Sequence, residues 1–229
     1  MYKHYSFDLW LTLIRSNPNF KIERTKYFFD HFNFKNKTLA TVKSIFRNVD
    51  VTANRINEKT GKNLDVDELY LLIIALMNDY EVDLQTVDIQ RVYDELEIKL
   101  FENLPDLYDE NTKSTLKYLK EDTRASIGLL SNTGFIKGIT LRQVLKKLDI
   151  AEYFDFQIYS DEIKLSKPNP ELFAFLIERV RKQHQREILP SEIIHIGDNP
   201  IADIEGGKKA GMATFLLNSN QKSIKNLLT

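Results

Sequence analysis

The chain has 229 residues, 42% of them hydrophobic, with 32 basic and 33 acidic side chains that leave a formal net charge of -1. That composition supplies a sizeable core and excludes a disordered chain, and the balanced charge provides no global field to draw the protein to nucleic acid or an anionic membrane. Cysteine is absent, which removes disulfides, thiolate metal sites and cysteine nucleophiles together. The longest apolar run, Leu69 to Met77, falls far short of a span of about 20 residues. Met1 to His4 lead directly into an apolar run without a signal-peptide core, so the expected location is cytoplasmic.

The first element is a strand pattern, Tyr5-Ser6-Phe7, which ends at Asp8 and is followed by Thr12 four residues later. A short, nearly continuous apolar run reads as a buried parallel strand. Ile14 to Pro18 reads as a linker, with Ser16-Asn17-Pro18 marking a helix start. From there to about Asn103 the periodicity is helical throughout. Phe20, Tyr27, Phe28 and Phe32 recur at helical spacing, then Leu39, Val42, Phe46, Val49 and Ile56. A polar loop at Lys59 to Asn63 precedes a third helix through Met77, opened by Asp65, Asp67 and Glu68 where the helix dipole favours acids. A fourth is expected from about Leu84 to Leu100.

From Asn111 onward, helices alternate with short apolar strands, the pattern of a parallel sheet built from βαβ units. Helices are predicted at Thr112 to Leu119, Leu141 to Leu148, Pro170 to about Lys182 and Ile201 to Ala210, with strands at Ala125 to Leu130, Phe156 to Tyr159, Ile193 to Ile196 and Ala213 to Leu217. The expected fold class is therefore α/β, with a parallel sheet and an inserted all-helical unit.

Three later stretches carry polar constellations besides Asp8. A carboxylate at a sheet's carboxyl edge can attack a substrate, help hold a divalent cation, or merely cap a turn. Ser131-Asn132 follows a strand, where hydroxyl and amides can bind an anion or simply close a loop. Lys167-Pro168-Asn169-Pro170 sets a lysine before a proline-initiated helix, next to an anion-binding terminus or in open solvent. Asp198 and Asp203 stand five residues apart around a strand-to-helix turn. Three carboxylates brought together would repel unless a cation joined them or one held a proton.

In this order and at these strand ends, Asp8 with Thr12, Ser131-Asn132, Lys167-Pro168-Asn169-Pro170 and Gly197-Asp198-Asn199 with Asp203 resemble the four motifs of the haloacid dehalogenase-like hydrolase superfamily. Ser160 to Pro168 is also similar to the longer signature around the family lysine, with Lys164 where glycine is usual. The resemblance implies a Rossmann-like catalytic core at residues 1–15 and 105–229 and a helical cap at 16–104. It further implies that Asp8 attacks a small phosphorylated substrate and forms an aspartyl intermediate that water hydrolyses. Mg2+ would be held by Asp8, the backbone carbonyl of Trp10 and Asp198, with Asp203 assisting, while Ser131, Asn132 and Lys167 would bind the phosphoryl group. No nucleic acid or membrane partner is implied, and the sequence leaves the oligomeric state open.

Two residues close to Asp8 also depart from the family pattern. Trp10 stands where phosphatases of the family carry the aspartate that protonates the leaving oxygen, and Leu11 replaces the usual glycine. General acid–base catalysis is typically worth about 10²–10⁴-fold, so turnover of poor leaving groups should be slow. An aromatic residue at this place resembles the dehalogenase branch, which needs no metal, whereas Asp198 and Asp203 resemble the metal-binding phosphatases. A binding or regulatory protein that keeps the fold with little turnover is the third reading.

Overall fold

Residues 2–123 and 125–228 are described by a computed structural model of the protein. In chain order the elements are β1 (His4–Phe7), β2 (Ile14–Arg15), α1 (Pro18–Phe32), α2 (Leu39–Thr60), α3 (Val66–Met77), α4 (Ile89–Glu102), β3 (Asp106–Leu107), α5 (Thr112–Glu121), β4 (Ser126–Ser131) and α6 (Gly138–Lys147). There follow β5 (Phe156–Tyr159), α7 (Ser160–Ile163), α8 (Pro170–His184), β6 (Ile193–Gly197), a π-helical turn (Pro200–Glu205), α9 (Gly206–Lys209) and β7 (Ala213–Leu216). Among the described residues no helix is long and apolar enough to cross a membrane.

Five strands form one parallel sheet in the order β5-β4-β1-β6-β7. Every residue of β1, β4 and β6 is buried, as expected of central strands covered on both faces. One apolar cluster, including Phe7, Leu116 and Leu141, packs on one side of the sheet, and another, including Phe156, Phe173 and Leu176, lies under α8. After β1 the chain adds strands outward on one side through β5, then returns to the other side of β1 as β6. That reversal opens a crevice at the carboxyl ends of β1 and β6.

Helices α1 to α4 bury a cluster of their own, with Phe28, Phe46, Tyr70 and Ile73 inside it. Phe135, from the loop after β4, inserts into the same cluster and accepts a hydrogen bond from the Tyr70 hydroxyl at its carbonyl, 2.9 Å. Three sequence expectations shift here. Ile14 and Arg15, read as linker, pair antiparallel with Leu107 and Asp106, so a two-stranded ribbon ties the start of the helical segment to its end. Leu84 to Thr86 is a single 3₁₀ turn, and α4 begins only at Ile89, because the Asp88 carboxylate accepts the Arg91 amide at 3.1 Å and caps it there. In α2 the buried stripe runs on through Ala53 and Asn57, leaving Ile56 exposed.

The end of α2 docks on the sheet side. Gly61 caps it at φ +68°, and its carbonyl accepts from the Ser166 amide (3.0 Å) and from Asn169 Nδ2 (3.1 Å). Ser160 Oγ donates to Asn63 Oδ1 at 2.6 Å, and Lys164 pairs with Asp65 at 2.6 Å. A Cβ on Gly61 would stand 2.8 Å from Asn169 Nδ2. Gly61→Ala is therefore expected to lower stability by at least about 1–2 kcal/mol, the cost of a left-handed L-residue alone. A lower urea midpoint at unchanged m-value checks this.

Candidate active site

The site follows from sheet order. β1 is flanked by β4 and β6, so Asp8, Ser131 and Asp198 come off three adjacent strands at the same edge. The Asp8 amide still donates to the Ile196 carbonyl at 2.8 Å, which fixes the backbone where the side chain leaves the sheet. A carboxylate oxygen from each of Asp8, Asp198 and Asp203 lies within 4.8 Å of the other two.

Lys167 joins this cluster with its side chain almost wholly buried, at 1% exposure. Its ammonium donates to Asp8 Oδ1 and to Asp203 Oδ1, both at 2.7 Å. The other oxygen of Asp8 accepts from the Thr12 hydroxyl at 2.9 Å. Asn132 braces the lysine backbone from both ends, accepting the Lys167 amide (2.7 Å) and donating to the Lys167 carbonyl (3.0 Å). Ser131 is fully buried and its hydroxyl donates to the Asn132 carbonyl at 3.2 Å, so it is Asn132, with Thr133 and Gly134, that faces the cleft.

Asp203 owes its position to the turn at Pro200–Glu205. The Asn199 carbonyl accepts both the Asp203 and the Ile204 amides, at 3.0 and 3.3 Å, and this widened π turn swings Asp203 back under the strand end. Its Oδ2 accepts the Asn199 amide at 3.0 Å. The approach is so close that a Cβ on Gly197 would stand 2.1 Å from that oxygen, so only glycine fits. Sequence periodicity predicts an ordinary helix here and carries no mark of the extra residue per turn.

Two further residues were invisible in the motifs. His195 Nε2 lies 3.1 Å from Asp203 Oδ1, and Nδ1 lies 2.9 Å from the Ser6 hydroxyl. Burial lowers the His195 pKa and keeps the ring neutral. A neutral ring beside a carboxylate donates from Nε2 and accepts the Ser6 proton at Nδ1. The single signal for this in the sequence is a histidine inside the apolar run Ile193 to Ile196.

A cleft of about 410 Å³ opens over the cluster. Its floor includes Asp8, Trp10, Lys167, Asp198 and Asp203, and its opposite wall comes from α1 and α2 through Lys21, Arg24, Arg47, Asp50, Asn54 and Glu58. Glu58 Oε1 accepts from Asn199 Nδ2 at 2.7 Å, closing the wall onto the residue next to Asp198.

Three carboxylates around one ammonium leave two negative charges unmatched. Burial pushes Asp8 up, with Asp203 adding to the shift and Lys167 opposing it. Burial also opposes ionisation of Asp203, but Lys167 and His195 outweigh it and hold that carboxyl well below its usual range. Burial lowers Lys167, and the two carboxylates more than reverse this, so it stays charged. Asp198, which pairs with no cation among the described residues, is pushed up to about 7 by burial and then by Asp8 and Asp203. In an unfolded chain this carboxyl titrates near pH 4. Between about pH 4 and 7 the folded state then holds the extra proton, so the group's contribution to stability is present at low pH and is lost as pH rises through 7. In chelator, the urea midpoint of the parent should fall across that window more steeply than that of Asp198→Asn. Parallel slopes would mean that Asp198 does not carry the proton.

The chain matches the model of the haloacid dehalogenase-like hydrolase family over residues 5–217. It is 33% identical over 99 residues to pyrimidine 5'-nucleotidase YjjG of Escherichia coli, covering 43% of this chain and 40% of that one. It is 34% identical over 111 residues to glyceraldehyde 3-phosphate phosphatase of Methanothermobacter thermautotrophicus, covering 48% and 44%. The matched stretches thus span less than half the length of these curated relatives. Among solved structures, the HAD-hydrolase YfnB of Bacillus subtilis, bound to magnesium, superposes with TM-score 0.70 at 18% identity over 96% of this chain and 91% of that one. A 2-haloacid dehalogenase of Pseudomonas syringae superposes with TM-score 0.65 at 19% identity over 97% and 89%. Low identities of this kind speak for the fold alone, but the family model covers nearly the whole chain, and this protein belongs to the haloacid dehalogenase-like hydrolases.

Proposed function

We propose that the protein is a magnesium-dependent phosphohydrolase that works through a covalent intermediate on Asp8, with residues 16–104 acting as the cap over the cleft. The observation that carries this reading is the meeting of Asp8, Asp198 and Asp203 around the Lys167 ammonium at the floor of one cleft. The donor set suits Mg2+, which takes hard oxygen ligands from one or two carboxylates plus phosphate and water. Its two charges would match the two that the cluster leaves over, and the proton that Asp198 otherwise keeps to about pH 7 marks the same deficit. Asp8, the Trp10 carbonyl and Asp198 are the groups that would hold the ion. Asp203 would assist by charge and orientation, since its oxygens already accept from Lys167, His195 and Asn199. The metal supplies charge neutralisation and polarisation at the phosphoryl oxygens when bound.

The chain's own groups do the rest. Lys167 and Thr12 hold the Asp8 carboxylate in one orientation, and the Lys167 ammonium screens its charge from an approaching phosphate. An Asp8 oxygen forms a bond to phosphorus as the ester P–O bond breaks and the leaving oxygen takes a proton. Water then attacks the phosphorus, releasing phosphate and restoring the carboxylate. Lys167, Asn132 and the turn that follows Ser131 would bind the phosphoryl oxygens.

Trp10 gives the proposal its particular form. No carboxylic acid stands two residues after Asp8, so an alkoxide leaving group lacks a proton donor at that position. Aryl and acyl phosphates, which leave without that help, should be turned over much faster than alkyl phosphates. The test is a panel of phosphomonoesters graded by leaving-group pKa, with and without Mg2+. Asp8→Asn should lower activity about 10³-fold or more. The double variant Trp10→Asp with Leu11→Gly should gain on alkyl phosphates preferentially, by about 10²-fold. Parent-level turnover by Asp8→Asn would rule out the covalent route. A folded double variant with no gain on poor leaving groups would favour a binding or regulatory protein instead.

A further inference from the structure

The cleft wall opposite Asp8 carries more cations than acids to pair with them. Arg15, Lys21, Arg24 and Arg47 all line it, and among the described residues only Arg47 is in an ion pair, with Asp50 at 3.3 Å. Arg24 is the most constrained of them. Its guanidinium carbon lies 4.4 Å from the ring centre of Phe135, 4.5 Å from that of Phe46 and 5.6 Å from that of Phe20. Its Nε is buried without a hydrogen-bond partner. Burial lowers its proton affinity, and neighbouring Tyr70 and Asp50 offset part of that cost.

Aromatic faces attract a guanidinium and fix its plane, but they offer no lone pair to its N–H edge. A buried donor left unmet is costly, and although the Tyr70 side chain supplies one hydrogen bond, the unmet Nε leaves this guanidinium with donor capacity for an acceptor arriving in the cleft. The planar fork of arginine fits a carboxylate or a phosphate, and Lys21 and Arg15 in the same wall add positive charge. The ring faces turned toward Arg24 are already occupied, which argues against a stacked nucleobase there. A cleft of about 410 Å³ has room for a small metabolite that touches both walls.

We propose that Arg24, supported by Lys21 and Arg15, receives a second oxyanion of the substrate, so that the preferred substrate is a phosphomonoester whose organic part carries a carboxylate or a further phosphate. This rests on the phosphohydrolase reading of the Asp8 end. The experiment compares kcat/KM within matched pairs: 3-phosphoglycerate against glycerol 3-phosphate, 6-phosphogluconate against glucose 6-phosphate, and fructose 1,6-bisphosphate against fructose 6-phosphate. The first two pairs report a carboxylate and the third a phosphate. In at least one pair the anion-bearing member should be favoured about 10- to 100-fold, the worth of a charge-assisted hydrogen bond. Arg24→Met should erase most of that preference, lowering the anion-bearing member far more than its partner. Arg24→Lys, which keeps the stem and the charge without the fork, should keep part of it.

Turnover of p-nitrophenyl phosphate with no preference in any pair, or equal losses on both members in a folded Arg24→Met protein, would overturn the inference while leaving the phosphohydrolase reading intact. A preference for nucleoside monophosphates over all three anion-bearing compounds would overturn it as well. Absence of any turnover would count against the phosphohydrolase reading alone. The inference would then be read from calorimetric binding of 3-phosphonopropionate against propylphosphonate, where affinities equal within twofold would sink it and tenfold tighter binding, lost in Arg24→Met, would support it.

Discussion

The ammonium of Lys167, shared at 2.7 Å by Asp8 and Asp203, is the contact on which the site is built. A buried lysine is expensive, and removing one partner of a buried ion pair typically costs 3–5 kcal/mol. The fold meets that cost with a second carboxylate, and then steadies the second carboxylate with His195 and the Asn199 amide. The result is one continuous chain of hydrogen bonds from Ser6 through His195, Asp203, Lys167 and Asp8 to Thr12. Each member orients the next, so the rotamer of Asp8 is set by residues from β1, β6 and the segment before α8.

That chain explains why the strands must be ordered as they are. β1 and β6 pair along His4↔Ile193 to Phe7↔Ile196, which puts Ser6 opposite His195. A slip of one residue would send His195 to the other face of the sheet and break the link to Asp203. The buried polar side chains of the central strands thus serve register as well as the site. They also leave the cluster two charges short of neutrality, a deficit that belongs to the floor of the cleft, whereas the facing wall carries the opposite excess in Arg15, Lys21 and Arg24.

The parts legible in the sequence are those with a strong local pattern. Apolar runs ending in Asp8, Ser131 and Gly197-Asp198 mark strand ends whatever their partners, and the prolines at Pro18 and Pro170 mark helix starts that the structure keeps. What stayed hidden depends on contacts distant in sequence. The β2–β3 ribbon joins residues 14–15 to 106–107, two stretches too short to register as strands alone. The π turn is dictated by Asp203 reaching Lys167, and the burial of Asn57 in place of Ile56 by the Leu64 amide, which Asn57 Oδ1 accepts at 3.1 Å. Arg24 looks like any surface arginine until Phe46 from α2 and Phe135 from the loop after β4 close on it.

The two departures from the family pattern in glycine positions have one backbone explanation. Leu11 and Lys164 both stand at positive φ, +59° and +63°, the region that glycine occupies without cost. Lys164 closes α7, and its ammonium pairs with Asp65 across the seam. Leu11 is half exposed, and Asn218 Nδ2, from the end of β7, donates to the Leu11 carbonyl at 2.6 Å and to the Thr12 carbonyl at 3.1 Å. The turn after Asp8 is thereby clamped from the far end of the chain, and the Thr12 hydroxyl still reaches Asp8 at 2.9 Å. Leu11 therefore costs local backbone energy without displacing the carboxylate. On the proposed reading the consequence of Trp10 is then chemical and not geometric: the surroundings of the Asp8 carboxylate are intact, and the group missing from them is an acid.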